Sequence, residues 1–248
     1  MGSQTVSAEA RPAFYALSPG SWRDYVTLLH PPYTAWHLSY VVIGAALAPH
    51  WYPGRLGAAL VAFFLAVGIG AHALDELNGR PLSTQIPSTV LGALAGLSIA
   101  TAVAIGIAGA IVVDLWLLLF VAAGAFIVCA YNLELFGGRF HSDIWFAIDW
   151  GAFPLLTAYF ACAGRIRIEA VLAAVFAALF SYGQRQLSSP VRRLRREVAS
   201  VSGSIELDDG SREPVTRGTL IAGNEAALRA FALGIVALAV ALVVLRVR

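Results

Sequence analysis

The chain has 248 residues, 58% of them hydrophobic and 13% charged, with a mean hydropathy of +0.73. That balance excludes a water-soluble domain of this length and specifies an all-α, polytopic transmembrane helical bundle. The net charge of +2, carried by 17 arginines and no lysine, is too mild to suggest a nucleic-acid partner.

Residues 1–32 are polar, rich in Pro and Ser, and lack the basic-then-apolar start of a cleaved signal. They read as a cytoplasmic approach to the bilayer, with Trp22, Tyr25 and Tyr33 as interfacial anchors. Residues 33–182 read as a six-span bundle. The first two spans are Tyr33 to Ala48 and Leu56 to Leu74, separated by Pro49-His50-Trp51-Tyr52-Pro53-Gly54. The third and fourth, Pro87 to Ala108 and Ile111 to Ala130, flank a turn at Gly106 to Gly109. The fifth, Ile144 to Cys162, carries Asp149 inside it, and the sixth runs from Ile168 to Tyr182. Residues 183–223 form a basic cytoplasmic loop. Within it Ser200 to Pro214, turning at Asp208-Asp209-Gly210, has the alternation and Asp-Gly signal of a small hairpin. Residues 224–248 hold a seventh span, Glu225 to Leu245, with Asn224 as its N-cap. The two cysteines, Cys129 and Cys162, sit in apolar runs and indicate neither a disulfide framework nor a zinc site.

With seven spans, twelve arginines fall on the N-terminal side and five on the other, which places the N-terminus in the cytoplasm. The loops after the second, fourth and sixth spans then share the cytoplasmic face. The stretch Gly68-Ile-Gly-Ala-His72-Ala-Leu-Asp75-Glu76-Leu-Asn78-Gly-Arg80-Pro81-Leu82 runs an apolar segment into two carboxylates and an arginine. Ionisable groups at the mouth of an apolar helix mark a candidate site. Asp149 is costly inside a span and reads either as a functional carboxylate or as the partner of a neighbouring helix. His72 and His141 with Asp75, Glu76 and Asp143 could form a transition-metal site, although no His-x-x-His or Glu-x-x-His pair supports one. The basic run Arg185, Arg192, Arg193, Arg195 and Arg196 suits either phosphate oxygens or anionic lipid.

Leu-Leu-His30-Pro31 ahead of the first span, the acidic pair ending in Arg80-Pro81-Leu82, and Tyr131-Asn132 with Gly138-Arg139 and Trp150-Gly151-Ala-Phe-Pro154 resemble the UbiA superfamily of intramembrane prenyltransferases. The resemblance covers Leu28 to Gln184. It implies a UbiA-like helical bundle that grips a prenyl diphosphate through magnesium and passes the prenyl group to a lipidic or aromatic acceptor, or cyclises it. Asp75 and Glu76 would hold the Mg2+. His72, Arg80, Asn132, Arg139 and Arg185 would bind the substrate. Of the catalytic residues, Asp149 would stabilise the carbocation left when diphosphate departs or take a proton, and Tyr131 would have a positioning role.

The sequence departs from the family in three ways. Its first motif keeps only one acid in either helical register, its second reads Ser181-Tyr-Gly-Gln184-Arg185-Gln186 without a carboxylate, and two C-terminal helices are missing. A scaffold that binds an isoprenoid, quinone or other lipid without turnover is therefore the alternative. A transporter finds no inverted repeat to support it.

Overall fold

The computed structural model describes residues 11–248, so the first ten residues of the expected N-terminal approach lie outside the described part. Its helices are α1 (Trp22–Leu28), α2 (Pro31–Leu47), α3 (Pro53–Leu77), α4 (Ser88–Val112), α5 (Leu117–Asn132), α6 (Asp143–Ala163), α7 (Ile168–Arg196) and α8 (Arg217–Val247). A hairpin of β1 (Ser204–Glu206) and β2 (Arg212–Pro214) joins the last two helices. The fold is mostly helical, and four helices, α3, α4, α6 and α8, are long and apolar enough to cross a membrane. The α5 helix is apolar but only 16 residues long.

The α2 helix lies at the centre. Pro31 starts it, because a proline at the first helical position gives up no hydrogen bond and already has a helical φ. Trp36, Tyr40 and Ile43 pack with Leu155 of α6, Ala177 of α7 and Ile235 of α8. Trp36 Nε1 donates to Tyr40 Oη at 2.7 Å, and Ser181 Oγ donates to the same oxygen at 3.1 Å, so the buried polar atoms of this core are paired. Gly44 lets the backbones of α2 and α6 touch, since a Cβ there would run into the Leu155 carbonyl. At the far end Arg246 donates to the Ala46 carbonyl at 2.6 Å and to that of Ala48, closing carbonyls that α2 itself leaves open.

Two apolar helices do not keep α-helical spacing throughout. The α3 helix widens into π-helical turns over Phe64–Ala71, and α6 does so over Ile148–Ala152. Such turns rotate the residues that follow and loosen the local backbone ladder, and they concentrate at functional sites.

Three boundaries differ from the sequence expectation. The turn between the third and fourth apolar segments falls after Val112, not at Gly106 to Gly109; both glycines lie inside α4, where a Cβ on Gly106 would press on Val121 of α5. Asp114 Oδ1 accepts from Trp116 N at 2.8 Å and helps shape the real turn. The sixth segment does not stop at Tyr182 but continues as helix to Arg196, through Pro190. Its buried Ser181, Gln184, Ser188 and Val191 recur at helical spacing, so one face stays packed after the apolar stretch ends. Finally, α8 starts at Arg217 behind a Thr216–Thr219 capping box, and Asn224, expected as its cap, instead donates to the Leu187 carbonyl of α7 at 3.2 Å.

The loop from α3 to α4 is organised by two buried carboxylates. Glu76 is wholly buried; its Oε2 accepts from Leu82 N at 2.9 Å, and its Oε1 accepts from Thr84 N and Thr84 Oγ1, both at 2.8 Å. Asp24 of α1 accepts from Gln85 N and Gly20 N, each at 2.9 Å. Charge-assisted bonds to backbone donors are strong, and donors stranded by their loss are costly. Glu76→Ala is therefore expected to cost about 3 kcal/mol of stability, and Glu76→Gln to recover little of it, because an amide NH2 would face backbone N–H groups. Denaturant unfolding of the purified chain measures both.

Candidate functional site

Two cavities lie next to each other in the bundle and share part of their lining. The first, about 110 Å³, is polar. The α3 helix contributes His72 and Asp75; α5 contributes Tyr131 and Asn132; α7 contributes Gln184, Arg185, Arg192 and Arg196. His30, Tyr33 and His37 line it from the start of α2, and Tyr15 from the N-terminal segment. The second cavity, about 490 Å³, is lined almost wholly by apolar residues of α3, α4, α5 and α6, among them Ala62, Val103, Val121 and Phe153, with Asp149 at its wall. Val67 and Trp150 line both cavities. Each belongs to a π-helical stretch, Val67 to that of α3 and Trp150 to that of α6.

The carbonyls of those stretches are used to fix histidines. His72 Nδ1 lies 3.1 Å from the Gly68 carbonyl and His37 Nδ1 lies 2.9 Å from the Trp150 carbonyl, so both imidazoles carry their proton on Nδ1. His30 stacks on His72 with ring centroids 4.1 Å apart. Its backbone is left-handed (φ 46), an uncommon conformation for a residue other than glycine. Tyr15 Oη and His30 Nδ1 are hydrogen-bonded at 2.7 Å, tying the N-terminal segment over the cavity. Burial holds the His30 imidazole well below its usual pKa, and His72 adds to the effect; burial likewise pushes the Tyr15 phenol well above its usual value.

The cavity is cationic. Asp75 is the one carboxylate that lines it among the described residues, against Arg185, Arg192 and Arg196. Arg185 Nε is bonded to Asp143 Oδ1 at 3.0 Å, outside the cavity wall, and its guanidinium lies 5.5 Å from the Phe146 ring centroid. Arg196 Nε donates to the Pro12 carbonyl at 3.3 Å. Arg192 has Ser189 Oγ at 3.2 Å, and burial, then the charges of Arg185 and Arg196, press its pKa down. Three guanidiniums crowded this way are stabilised by an anion between them. Buried polar atoms without a partner also sit here: Tyr131 Oη and Gln184 Oε1.

Of the residues expected at the site, His72, Asp75, Tyr131, Asn132 and Arg185 share this cavity, while four others lie elsewhere. Glu76 points into the α3–α4 loop. Arg80 donates to the Thr84 and Ile86 carbonyls and to Ser88 Oγ. Arg139 is exposed in the loop after α5. Asp149 lines only the apolar cavity, whereas Tyr131 lines only the polar one.

With both Glu76 oxygens engaged, the donor set does not fit a magnesium ion held by paired protein carboxylates. Among the described residues, no group of three or more His, Cys, Asp or Glu is placed to hold a metal ion.

Tyr15, His37 and Gln184 escaped the sequence reading. Gln184 alone had a usable signal: it falls on the buried face of α7, in register with Ser181, Ser188 and Val191. No family model, curated protein or solved structure matches the chain.

The His30 environment has a sign that can be tested. A neutral buried imidazole, with a folded pKa below the unfolded value of about 6.5, lets the unfolded chain bind the extra proton. Its contribution to stability is therefore complete above about pH 6.5 and is lost as the pH falls below that value. The thermal midpoint is expected to drop on acidification, and His30→Gln, which cannot charge, to make the drop shallower; calorimetric scans across that range check it.

Proposed function

We propose that the protein binds a prenyl diphosphate, with the head among the arginines of the polar cavity and the isoprenoid chain in the apolar one. The observation that carries this reading is the shared wall at Val67 and Trp150, which line both a cationic cavity and an apolar one of ligand size. A purely polar solute would leave the apolar cavity unused, and a neutral lipid would leave the excess of arginines over carboxylates in the polar cavity unmatched.

The UbiA resemblance extends the reading to catalysis. The proposed topology is seven spans with α1, the α3–α4 loop and the α7 extension at the cytoplasmic face. In the proposed reaction the allylic C1–O bond breaks at that shared wall and the diphosphate leaves into the arginine cavity. Arg185, Arg192 and Arg196 take up its charge through guanidinium–oxygen bonds. The allylic carbon sits beside Trp150 and Tyr131, whose rings lie 5.5 Å apart and offer faces that stabilise a cation. Capture by an acceptor, or by a double bond of the same chain, followed by loss of a proton to the departed diphosphate, completes the reaction. Where the family's second acidic motif would lie, α7 presents Gln184, Arg185, Ser188 and Arg192. The arginines are proposed to do the work that magnesium and the second carboxylate set do in that family.

Binding without turnover is the second reading, and the engagement of Glu76 in a loop favours it. Release of diphosphate from geranylgeranyl diphosphate in a single-turnover assay separates the two.

The binding claim is tested with a non-hydrolysable farnesyl thiodiphosphate and the detergent-purified chain. Arg192→Gln and Arg196→Gln are each expected to weaken binding by about tenfold or more, as loss of a charge-assisted contact requires. Exposed Arg193→Gln is expected to change it less than about twofold, and chelation of divalent ions less than about threefold. Equal losses in all three variants, or no binding by the unmodified protein, would sink the diphosphate reading.

A further inference from the structure

Asp149 is the group that the diphosphate reading leaves unexplained. It is 1% exposed, and neither carboxyl oxygen has a hydrogen-bond partner. It faces a cavity whose other walls are overwhelmingly apolar. A carboxyl group stranded like this inside an apolar helix costs several kcal/mol, so its position needs a reason.

The two other polar side chains at that cavity do not supply one. Thr157 Oγ1 is committed to the Phe153 carbonyl at 2.8 Å, and it lies eight residues, about 12 Å, further along α6. Arg55 donates to the Ala161 carbonyl at 3.1 Å and lies over the Tyr52 ring, 4.2 Å from its centroid. It is twelve residues from Val67, so about 18 Å of helix separates it from the Asp149 end.

We propose that the apolar cavity binds a lipophilic molecule carrying a hydroxyl group, and that the hydroxyl is received by Asp149. A hydrocarbon would leave both oxygens stranded. A ketone or ester would need the carboxyl protonated, and an amine would take its proton and leave an ion pair in an apolar space, whereas a hydroxyl stays neutral and can donate to a carboxylate or accept from a carboxylic acid. An alcohol or phenol therefore pairs with Asp149 in either state. The volume of about 490 Å³ lies within the range of small-molecule sites. The inference does not rest on the diphosphate reading, because the ligand needs no anionic group and meets none of the arginines of the polar cavity.

The test compares farnesol with farnesyl methyl ether, and 1-naphthol with 1-methoxynaphthalene, by saturation binding to the detergent-purified full chain. The hydroxyl member of at least one pair is expected to bind about tenfold or more tightly than its ether. Preference within the farnesyl pair identifies an aliphatic alcohol site, and preference within the naphthyl pair a phenol site; either supports the proposal. In Asp149→Leu the difference is expected to shrink to about twofold or less. That variant removes an unpaired buried carboxyl and is expected to unfold at a higher temperature than the parent. Val121→Trp, which fills the opposite wall, is expected to abolish binding of both members, and Arg192→Gln to leave it unchanged. Equal binding within both pairs by the parent protein, no binding of either hydroxyl probe, or a preference that survives Asp149→Leu would overturn the proposal. The Arg192→Gln arm keeps its failure distinct from failure of the diphosphate reading.

Discussion

The widened turns in α3 and α6 are the constraint on which the interior depends. Within those stretches the Gly68 and Trp150 carbonyls also accept from the His72 and His37 side chains. Those bonds fix two imidazoles at the cavity wall and place Val67 and Trp150 side by side between a charged space and an apolar one. Close helix packing makes this possible. Gly151, inside the α6 stretch, lies so near the Ala177 carbonyl of α7 that a Cβ would not fit. The π-helical turn and the arginine-bearing helix are thereby held against each other.

Charge is divided in the same economical way. Buried acids outside the cavity are spent on architecture: Glu76 and Asp24 on the α3–α4 loop, and Glu225 on Arg195 at 2.7 Å. The cavity keeps its cations in excess, with Arg192 compressed between Arg185 and Arg196. A buried pair such as Arg195–Glu225 fixes how α7 meets α8 more than it adds stability, since desolvation offsets most of its attraction. What remains is a cavity lined by three arginines and one carboxylate, Asp75.

Much of this was legible in the chain. Apolar runs located the helices, and the Asp209-Gly210 dipeptide located the hairpin turn, where Gly210 adopts φ 82. His72, Asp75, Tyr131, Asn132, Arg185, Arg192 and Arg196 were all singled out, and they converge on one cavity. Glu76 was misread because neighbouring residues on a helix point about 100° apart, and which of two adjacent acids faces the cavity depends on the phase set by the π-helical turns before them. Those turns leave no composition signal. The α7 extension was hidden by Pro190, which marks a helix end in most sequences but is tolerated here on a helix held by its packed face. Tyr15 reaches the site only through the path of an irregular segment, which periodicity does not describe.

The central claim is that one ligand spans both cavities through the gap at Val67 and Trp150. The most direct measurement compares inorganic diphosphate with farnesyl thiodiphosphate on the parent protein and on Val67→Trp. In the parent, the chain should add about a hundredfold or more to affinity, as burial of an apolar tail of this size requires. Val67→Trp, by closing the gap, should bind diphosphate as the parent does and lose the gain from the chain. If the chain adds nothing in the parent, or if the variant keeps the whole gain, the two cavities do not form a single site.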